Sequence, residues 1–369
     1  MNSLKIKFLI FFALIFCGFF SFAQTFFLDG NGVTVKCTGC VNGSTGVLGG
    51  QTYTALNNTS LAAKNKAASD WNRVVTSLVT DTSNLFKNAT SFNEDITSWD
   101  MSNVTNMNKM FEDARAFNQD IGNWDTSKVT NMDEMFYEAL DFNQPLNNWD
   151  VSSVTIMRRM FGLASGSGHK FNNGAAQGVS GTLNWDTSSV TNMGDMFAPQ
   201  SGNAGTHAFN QDIGNWDVSN VTNMSGMLKG AEKFNQDLSD WDVSSNTNFY
   251  SMFDRASIYN NGGVSLSCWD TSSVTFMTWM FGFSSFSQDL SAWCVPLIGS
   301  LPTSFGNGGG TNPNWGAACP GNSVVMTFND VTKTFGDPNF TVTATSNQAI
   351  TITYSIADTS IATINASSG

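Results

Sequence analysis

Between residues 79 and 296, apolar and polar positions fall into one pattern that returns about every 25 residues. Its fixed mark is a Trp followed by Asp, at Trp99, Trp124, Trp149, Trp185, Trp216, Trp241 and Trp269. Trp293 is an eighth copy in which Cys294 takes the place of the Asp. Twelve residues beyond the seven Trp-Asp tryptophans stand Phe111, Phe136, Phe161, Phe197, Leu228, Phe253 and Phe281, and that interval never changes. All length variation falls between this position and the next Trp. Eleven residues are gained before Trp185, six before Trp216 and three before Trp269, and one is lost before Trp293. The Trp-to-Phe piece is therefore the rigid unit, and one edge of the array accepts loops. A fainter copy ending at Leu85-Phe86 opens the series.

The unit combines two periods. With Trp as position zero, Met at +8, Met at +11, Phe at +12 and Ala at +15 repeat, as in Met132, Met135, Phe136 and Ala139. The spacing i, i+3, i+4, i+7 predicts one apolar face of a short helix, with Thr130 or Asn131 placed to cap it. Upstream, Ile121-x-x-Trp124-x-Thr126 predicts a short strand, and Asp125-Thr126-Ser127 a turn out of it. One copy cannot bury its apolar set alone, so the copies must stack. The expected fold is an α/β repeat solenoid: leucine-rich-repeat-like coils of short parallel strand plus short helix, spaced about 4.8 Å apart.

The combined pattern Phe-Asn-Gln-Asp-Ile-x-x-Trp-Asp-x-Ser-x-Val-Thr-Asn-Met-x-x-Met-Phe, complete over residues 117–136, resembles the BspA-like leucine-rich-repeat surface proteins. That type is also found in Mycoplasma-type lipoproteins. The likeness covers roughly residues 79–296, and residues 26–37 resemble the lead-in that precedes such arrays. The resemblance implies an exported adhesion or interaction protein. It supplies no ligand.

The ends set the compartment. Lys5 and Lys7 precede an apolar stretch from Phe8 to Phe20, and Ser21-Phe22-Ala23 offers small residues at −3 and −1. This predicts a signal peptide over 1–23, cleaved after Ala23. The stretch is too short for a membrane anchor, and bulky Phe16 argues against lipidation at Cys17. Residues 24–78 then form an N-terminal lead-in and cap, 79–296 the array, and 297–322 a Gly-, Pro- and Asn-rich end cap and linker. Residues 323–369 alternate like β-strands and resemble the start of a bacterial immunoglobulin-like domain, through Lys333-Thr334-Phe335-Gly336-Asp337-Pro338 and Ile361-Ala362-Thr363-Ile364. Such a domain takes about 100 residues, so the sequence is expected to stop inside it. A net charge of −12 with only 12% charged residues argues against nucleic acid, which calls for a basic surface, and against anionic lipid. The expectation is a monomer, secreted or at the cell surface, without direct membrane insertion.

Five cysteines follow the signal peptide: Cys37, Cys40, Cys268, Cys294 and Cys319. An odd number in an oxidising compartment leaves at least one thiol free. Cys37-x-x-Cys40 is open to three readings, a zinc half-site, a redox pair or a small local disulfide. The third is favoured, because no second half-site and no strand-helix pattern frames it. Cys294 and Cys319 bracket the end of the array as a second disulfide candidate, which leaves Cys268 as a buried remainder.

The remaining chemistry sits on the repeat lattice. Asp100, Asp125, Asp150, Asp186, Asp217, Asp242 and Asp270 would form a column of like charge that calcium between copies could neutralise. Ser stands two residues after each, so local turn hydrogen bonds explain them better. Asp95, Asp120, Asp212, Asp237 and Asp289 form a second row. Asn106, Asn131, Asn192, Asn223 and Asn248 suit an internal ladder or helix caps, with amides offered to a sugar as the alternative. The Met and Phe columns are expected in the core. His169, Lys170 and His207 lie in the insertions about 162–182 and 198–208, the candidates for a surface metal or ligand site, since loops on a rigid scaffold carry specificity. No nucleophile elbow, zinc-protease helix or phosphate loop occurs, and periodic carboxylates single out no catalytic pair. The expected function is non-catalytic and cofactor-free adhesion, binding an extracellular protein or glycan. The alternative is a structural spacer displaying another domain.

Overall fold

A computed structural model of the chain describes residues 23–164, 168–199, 207–317, 327–328 and 344–345. The signal-peptide segment, Cys319 and nearly all of the immunoglobulin-like segment lie outside the described residues.

The N-terminal unit is built from β1 (Thr25–Leu28), β2 (Val35–Thr38), β3 (Thr45–Leu48), β4 (Gln51–Asn57), α1 (Asn58–Ala63) and β5 (Val74–Leu78). β1 and β2 pair antiparallel, β3 and β4 pair antiparallel, and β5 joins β4 in parallel. Val35, Cys37, Ala55 and Val75 form its small core. Asn57 starts α1 through a capping box with Ser60, which satisfies two helix-end N–H groups at once. Leu61 and Trp71 belong instead to the long core of the array. Trp71 meets Phe86 edge-on, with centroids 5.0 Å apart at 69°, and closes the first repeat.

Beyond Leu78 successive repeats lie on one another in parallel register. Isolated parallel bridges run Asp81–Asn106–Asn131–Ile156–Asn192–Asn223–Asn248–Phe276. Two-residue parallel pairs join β6 (Gly181–Thr182) to β7 (Gln211–Asp212) and β8 (Cys294–Val295) to β9 (Asn314–Trp315). Two further fragments, β10 (Thr327–Phe328) and β11 (Ala344–Thr345), pair antiparallel.

The expected α/β solenoid of strand-plus-helix coils is not what the chain forms. Among the described residues, the chain is short strands, bridges and turns with one α-helix, α1, which lies outside the array. The segment expected to be helical shows why. In the copy after Trp124, the N–H groups of Met132, Glu134, Phe136 and Glu138 donate to the carbonyls of Ile156, Arg158, Met160 and Gly162 in the next repeat, at 2.8–3.1 Å. The N–H groups between them, of Met135, Tyr137 and Ala139, donate three residues back to Met132, Glu134 and Phe136. Glu134 and Glu138 take φ of 54° and 59°, in the left-handed region that interrupts any right-handed helix.

Two consecutive four-residue turns thus occupy +8 to +11 and +12 to +15. Their first and last residues point inward, which reproduces the helical spacing without a helix. The expected strand at Ile121–Thr126 is also a pair of turns, closed by Trp124 N–H to Ile121 O at 3.1 Å and Val129 N–H to Thr126 O at 2.9 Å. The parallel pairing lies further on, at +6 and +7. There Thr105, Thr130, Thr155, Thr191, Thr222, Thr247 and Thr275 each donate N–H to the matching carbonyl of the preceding repeat.

Inside, the repeated side chains form continuous columns. Trp99, Trp124, Trp149, Trp185, Trp216, Trp241 and Trp269 are buried, as are Phe111, Phe136, Phe161, Phe197, Phe253 and Phe281. Phe111, Phe136 and Phe161 stack at 5.4 Å between centroids, nearly parallel. A second ring column follows Phe117, Phe142, Phe171, Phe209, Phe234, Tyr259 and Phe286 at 5.8–6.1 Å. Each Trp also has a polar task. Trp124 Nε1–H donates to Ile96 O at 3.3 Å, Trp149 to Ile121 O at 2.9 Å, Trp216 to Leu183 O at 2.8 Å and Trp293 to Leu266 O at 2.7 Å. The indole therefore fills the core and satisfies a buried carbonyl of the preceding repeat. Phe305 ends the first ring column by meeting Phe281 edge-on at 84°.

Trp149→Phe keeps a ring but leaves the Ile121 carbonyl with the Trp124 N–H alone, and denaturant unfolding should register a loss of about 0.5–1.5 kcal/mol. An unchanged midpoint would show that the indole bond does not hold neighbouring repeats together. Ser251, buried at φ 54°, occupies a turn corner that favours glycine. Ser251→Gly should leave stability unchanged or raise it by about 1 kcal/mol. Gly226→Ser at the matching corner should destabilise, because a Cβ there meets Asp195 Oδ1.

Candidate interaction surface

The Asp column serves the turns. Oδ1 of Asp125 accepts Ser127 N–H at 3.1 Å and Ser127 Oγ–H at 2.6 Å. The same pair of bonds recurs at Asp100, Asp150, Asp186 and Asp217. Asp242 and Asp270 accept the N–H of Ser244 and Ser272. In the second row, Asp95, Asp120, Asp212, Asp237 and Asp289 each accept the N–H two residues on. Among the described residues no group of three or more His, Cys, Asp or Glu side chains could hold a metal ion. The Asn column both bridges the repeats and accepts such turn bonds, as Asn131 Oδ1 does from Asp133 N–H at 2.9 Å.

His169 and His207 do meet, but not at the surface. Both are buried, they form a parallel bridge, and their rings stack with centroids 5.1 Å apart at 11°. His169 Nε2 lies 3.2 Å from Phe136 O, while its Nδ1 accepts Phe171 N–H at 3.1 Å. His207 repeats this with Phe161 O and Phe209 N–H. One neutral tautomer satisfies both bonds, and a second proton would face an N–H donor. The expectation of an exposed ligand site therefore fails for both histidines, because each is drawn inward to bond a core carbonyl, Phe136 O or Phe161 O, and a neighbouring N–H. Lys170 remains exposed and pairs with Asp141 at 2.6 Å.

Cys37 and Cys40 form a disulfide, and Cys294 is also disulfide-bonded. Cys319, its expected partner, lies outside the described residues. Cys268 is free and exposed, not buried as expected. It stands one residue before Trp269, on the turn where side chains alternate between core and solvent.

The outward turn corners differ from repeat to repeat. Position +10 carries Lys109, Glu134, Arg159, Asp195, Gly226, Ser251 and Trp279 in turn. In the early repeats this edge is a mesh of ion pairs. Glu134 is reached by Lys109 at 2.9 Å and by Arg158 at 2.9 Å, and Arg158 also holds Asp133 at 2.8 Å. Burial pushes the Glu134 carboxyl up, but Lys109, Arg158 and Arg159 outweigh it and hold it below its ordinary value.

In the last repeats the same edge turns aromatic. Tyr250, Phe276 and Phe283 are 48%, 60% and 65% exposed, and Trp279 is half-buried. Trp279 and Phe283 stack at 5.7 Å, and the Arg255 guanidinium lies 4.9 Å over Phe283. The sequence reading missed this patch. Its signal was present, because Phe276 replaces the recurrent Asn at +7 and Trp279 an otherwise polar or glycine corner.

The comparisons place this geometry in a family. The one described as "Mycoplasma protein of unknown function, DUF285" matches residues 54–176, 169–293 and 261–312. The chain belongs to this family. The three DUF285 matches run from β4 through the last Trp of the array and so cover the whole stack of turn units. No curated protein and no solved structure matches the chain.

Burial lowers the pKa of His169 to about 4, against a weaker opposing pull from its bond to Phe136. Burial also lowers His207, with His169 adding to the shift. Between pH 6.5 and about 5 the unfolded chain binds protons that the folded chain excludes, so stability falls as pH falls through that window. The loss should be about 2 kcal/mol from His169, with His207 adding in the same direction. The double variant His169→Gln, His207→Gln should be nearly flat over the same range in denaturant titrations. A flat profile for the unaltered chain would contradict the buried neutral pair.

Proposed function

We propose that the chain is an exported, non-catalytic interaction protein that presents the turn edge of its repeat array to an extracellular protein or glycan. One observation carries the reading. Inward positions repeat from copy to copy, whereas the outward corners pass from ionic at Lys109, Glu134 and Arg158 to aromatic at Tyr250, Trp279 and Phe283. A fixed frame with varied display is how repeat proteins bind. The likeness to BspA-like surface proteins supports this role, without the leucine-rich-repeat coil.

Export rests on the signal-peptide pattern of residues 1–23, and the Cys37–Cys40 disulfide suits an oxidising compartment. Among the described residues no helix is long and apolar enough to cross a membrane. The absence of catalysis is proposed from the carboxylates: those of both Asp rows are committed to turns, in the same way from copy to copy.

The test is a binding screen of the chain from Gln24 to Gly369 against immobilised extracellular-matrix proteins and a glycan array, with calcium and with chelator. Saturable binding that survives chelation is expected, because Oδ1 of each Asp in the column accepts a turn bond and the described residues gather no metal-binding group. A blank from well-folded protein would overturn the interaction reading in favour of a spacer.

A further inference from the structure

The aromatic corner of the last repeats differs from the rest of the edge in backbone, packing and polar satisfaction. Trp279 and Phe283 take φ of 62° and 54°, a region that bulky side chains occupy only at a cost. Gly226 and Gly230 fill the same two corners two repeats earlier, so the turn itself does not ask for rings. Gly282 lies between them, and a Cβ there would meet Trp279 Cε3 at 2.8 Å and Asp254 Oδ1 at 2.9 Å. Glycine thus lets the indole and the carboxylate oxygen close on the backbone, with no room for a side chain between them.

That oxygen is the decisive feature. The Asp254 side chain is 8% exposed, yet its Oδ1 has no hydrogen-bond partner, and neither does the buried Nε of neighbouring Arg255. The two groups approach only to 3.8 Å, beyond hydrogen-bond reach. Buried polar atoms are almost always paired, and an unpaired acceptor beside an unpaired donor needs an explanation. Burial raises the Asp254 carboxyl above its ordinary value, with Lys229 and Arg255 pulling it back.

We propose that Trp279 and Phe283, with Asp254 and Arg255 beside Gly282, bind a neutral pyranose sugar of an extracellular glycan. A pyranose has an apolar C–H face and a rim of hydroxyls that both donate and accept. The aromatic faces take the first. The Asp254 carboxyl, which gives up no Oδ1 hydrogen bond on turning outward, accepts from one hydroxyl, and the 40%-exposed Arg255 side chain donates to another, so a few polar groups orient the ring. A cationic ligand fits poorly, because the Arg255 guanidinium already lies over Phe283 at 4.9 Å. An acidic sugar faces the Asp254 carboxylate and a chain of net charge −12. This inference rests on the interaction reading above and names its ligand class and site.

The experiment compares the chain from Gln24 to Gly369 with Phe283→Gly, Trp279→Gly and Asp254→Asn on arrayed neutral oligosaccharides (chito-, cello- and manno-oligosaccharides). Heparin serves as the acidic control, and immobilised matrix proteins are run alongside. Glycine suits both corners, so Phe283→Gly should unfold no earlier than the unaltered chain. Each variant should weaken binding to a neutral oligosaccharide by about tenfold or more, as expected for a buried or stacking contact residue. Asp254→Asn tests the hydroxyl acceptor without removing a ring. Sugar binding untouched by all three variants would overturn the site and leave the interaction reading standing. Binding confined to matrix proteins, or to heparin, would overturn the neutral-sugar assignment alone. Binding to nothing by well-folded protein would overturn both.

Discussion

The structure depends on how one stretch of backbone divides its hydrogen bonds. Over +8 to +15, alternate N–H groups turn back three residues while the others cross to the next repeat, as Glu134 does to Arg158 at 2.8 Å. A helix would have spent all of them within one copy and left the copies joined by side chains alone. Here each turn ribbon is a partner for the next, so no repeat is complete without its neighbours. Trp71 at one end and Phe305 at the other supply edge-on rings that terminate the stack.

The side-chain columns follow from that backbone. Turns of four residues direct their first and last members inward, so Met and Phe at +8, +11 and +12 meet their counterparts above and below. The Trp column adds a bond that apolar packing cannot supply, from indole Nε1–H to a carbonyl one repeat away. The middle residues of each turn lie at the edge, from buried Glu134 and Ser251 to exposed Tyr250 and Phe283, and stay out of the repeating core columns. This is why the inner pattern is repetitive and the outer one is not, and why the edge is the place to look for recognition.

Much of this was legible in the sequence, and the misreading has a definite cause. The fixed Trp-to-Phe interval located the rigid unit, and Ser after each Asp located the turn bonds. The spacing +8, +11, +12, +15 is shared by a helix and by two successive turns, and only the conformation at +10 and +14 separates them. Gly226, Gly230, Asn84 and Asn88 marked those corners as left-handed. Lys109, Glu134, Arg159 and Asp195 masked the signal, because charged residues there read as a helix exterior. The histidines were placed by analogy with exposed loops, whereas the inserted segment runs back into the stack at His169 and His207. Asp254 and its unpaired oxygen could not be found from sequence, since both are set by contacts between neighbouring repeats.

The most direct measurement is the through-hydrogen-bond NMR coupling of the Glu134 and Glu138 amides, together with their Cα and Cβ shifts. The account predicts couplings from Glu134 to the Arg158 carbonyl and from Glu138 to that of Gly162, with left-handed shifts at both residues. A coupling from Glu134 to the Thr130 carbonyl, four residues earlier, with continuous helical shifts, would restore the helix and contradict the turn-built stack.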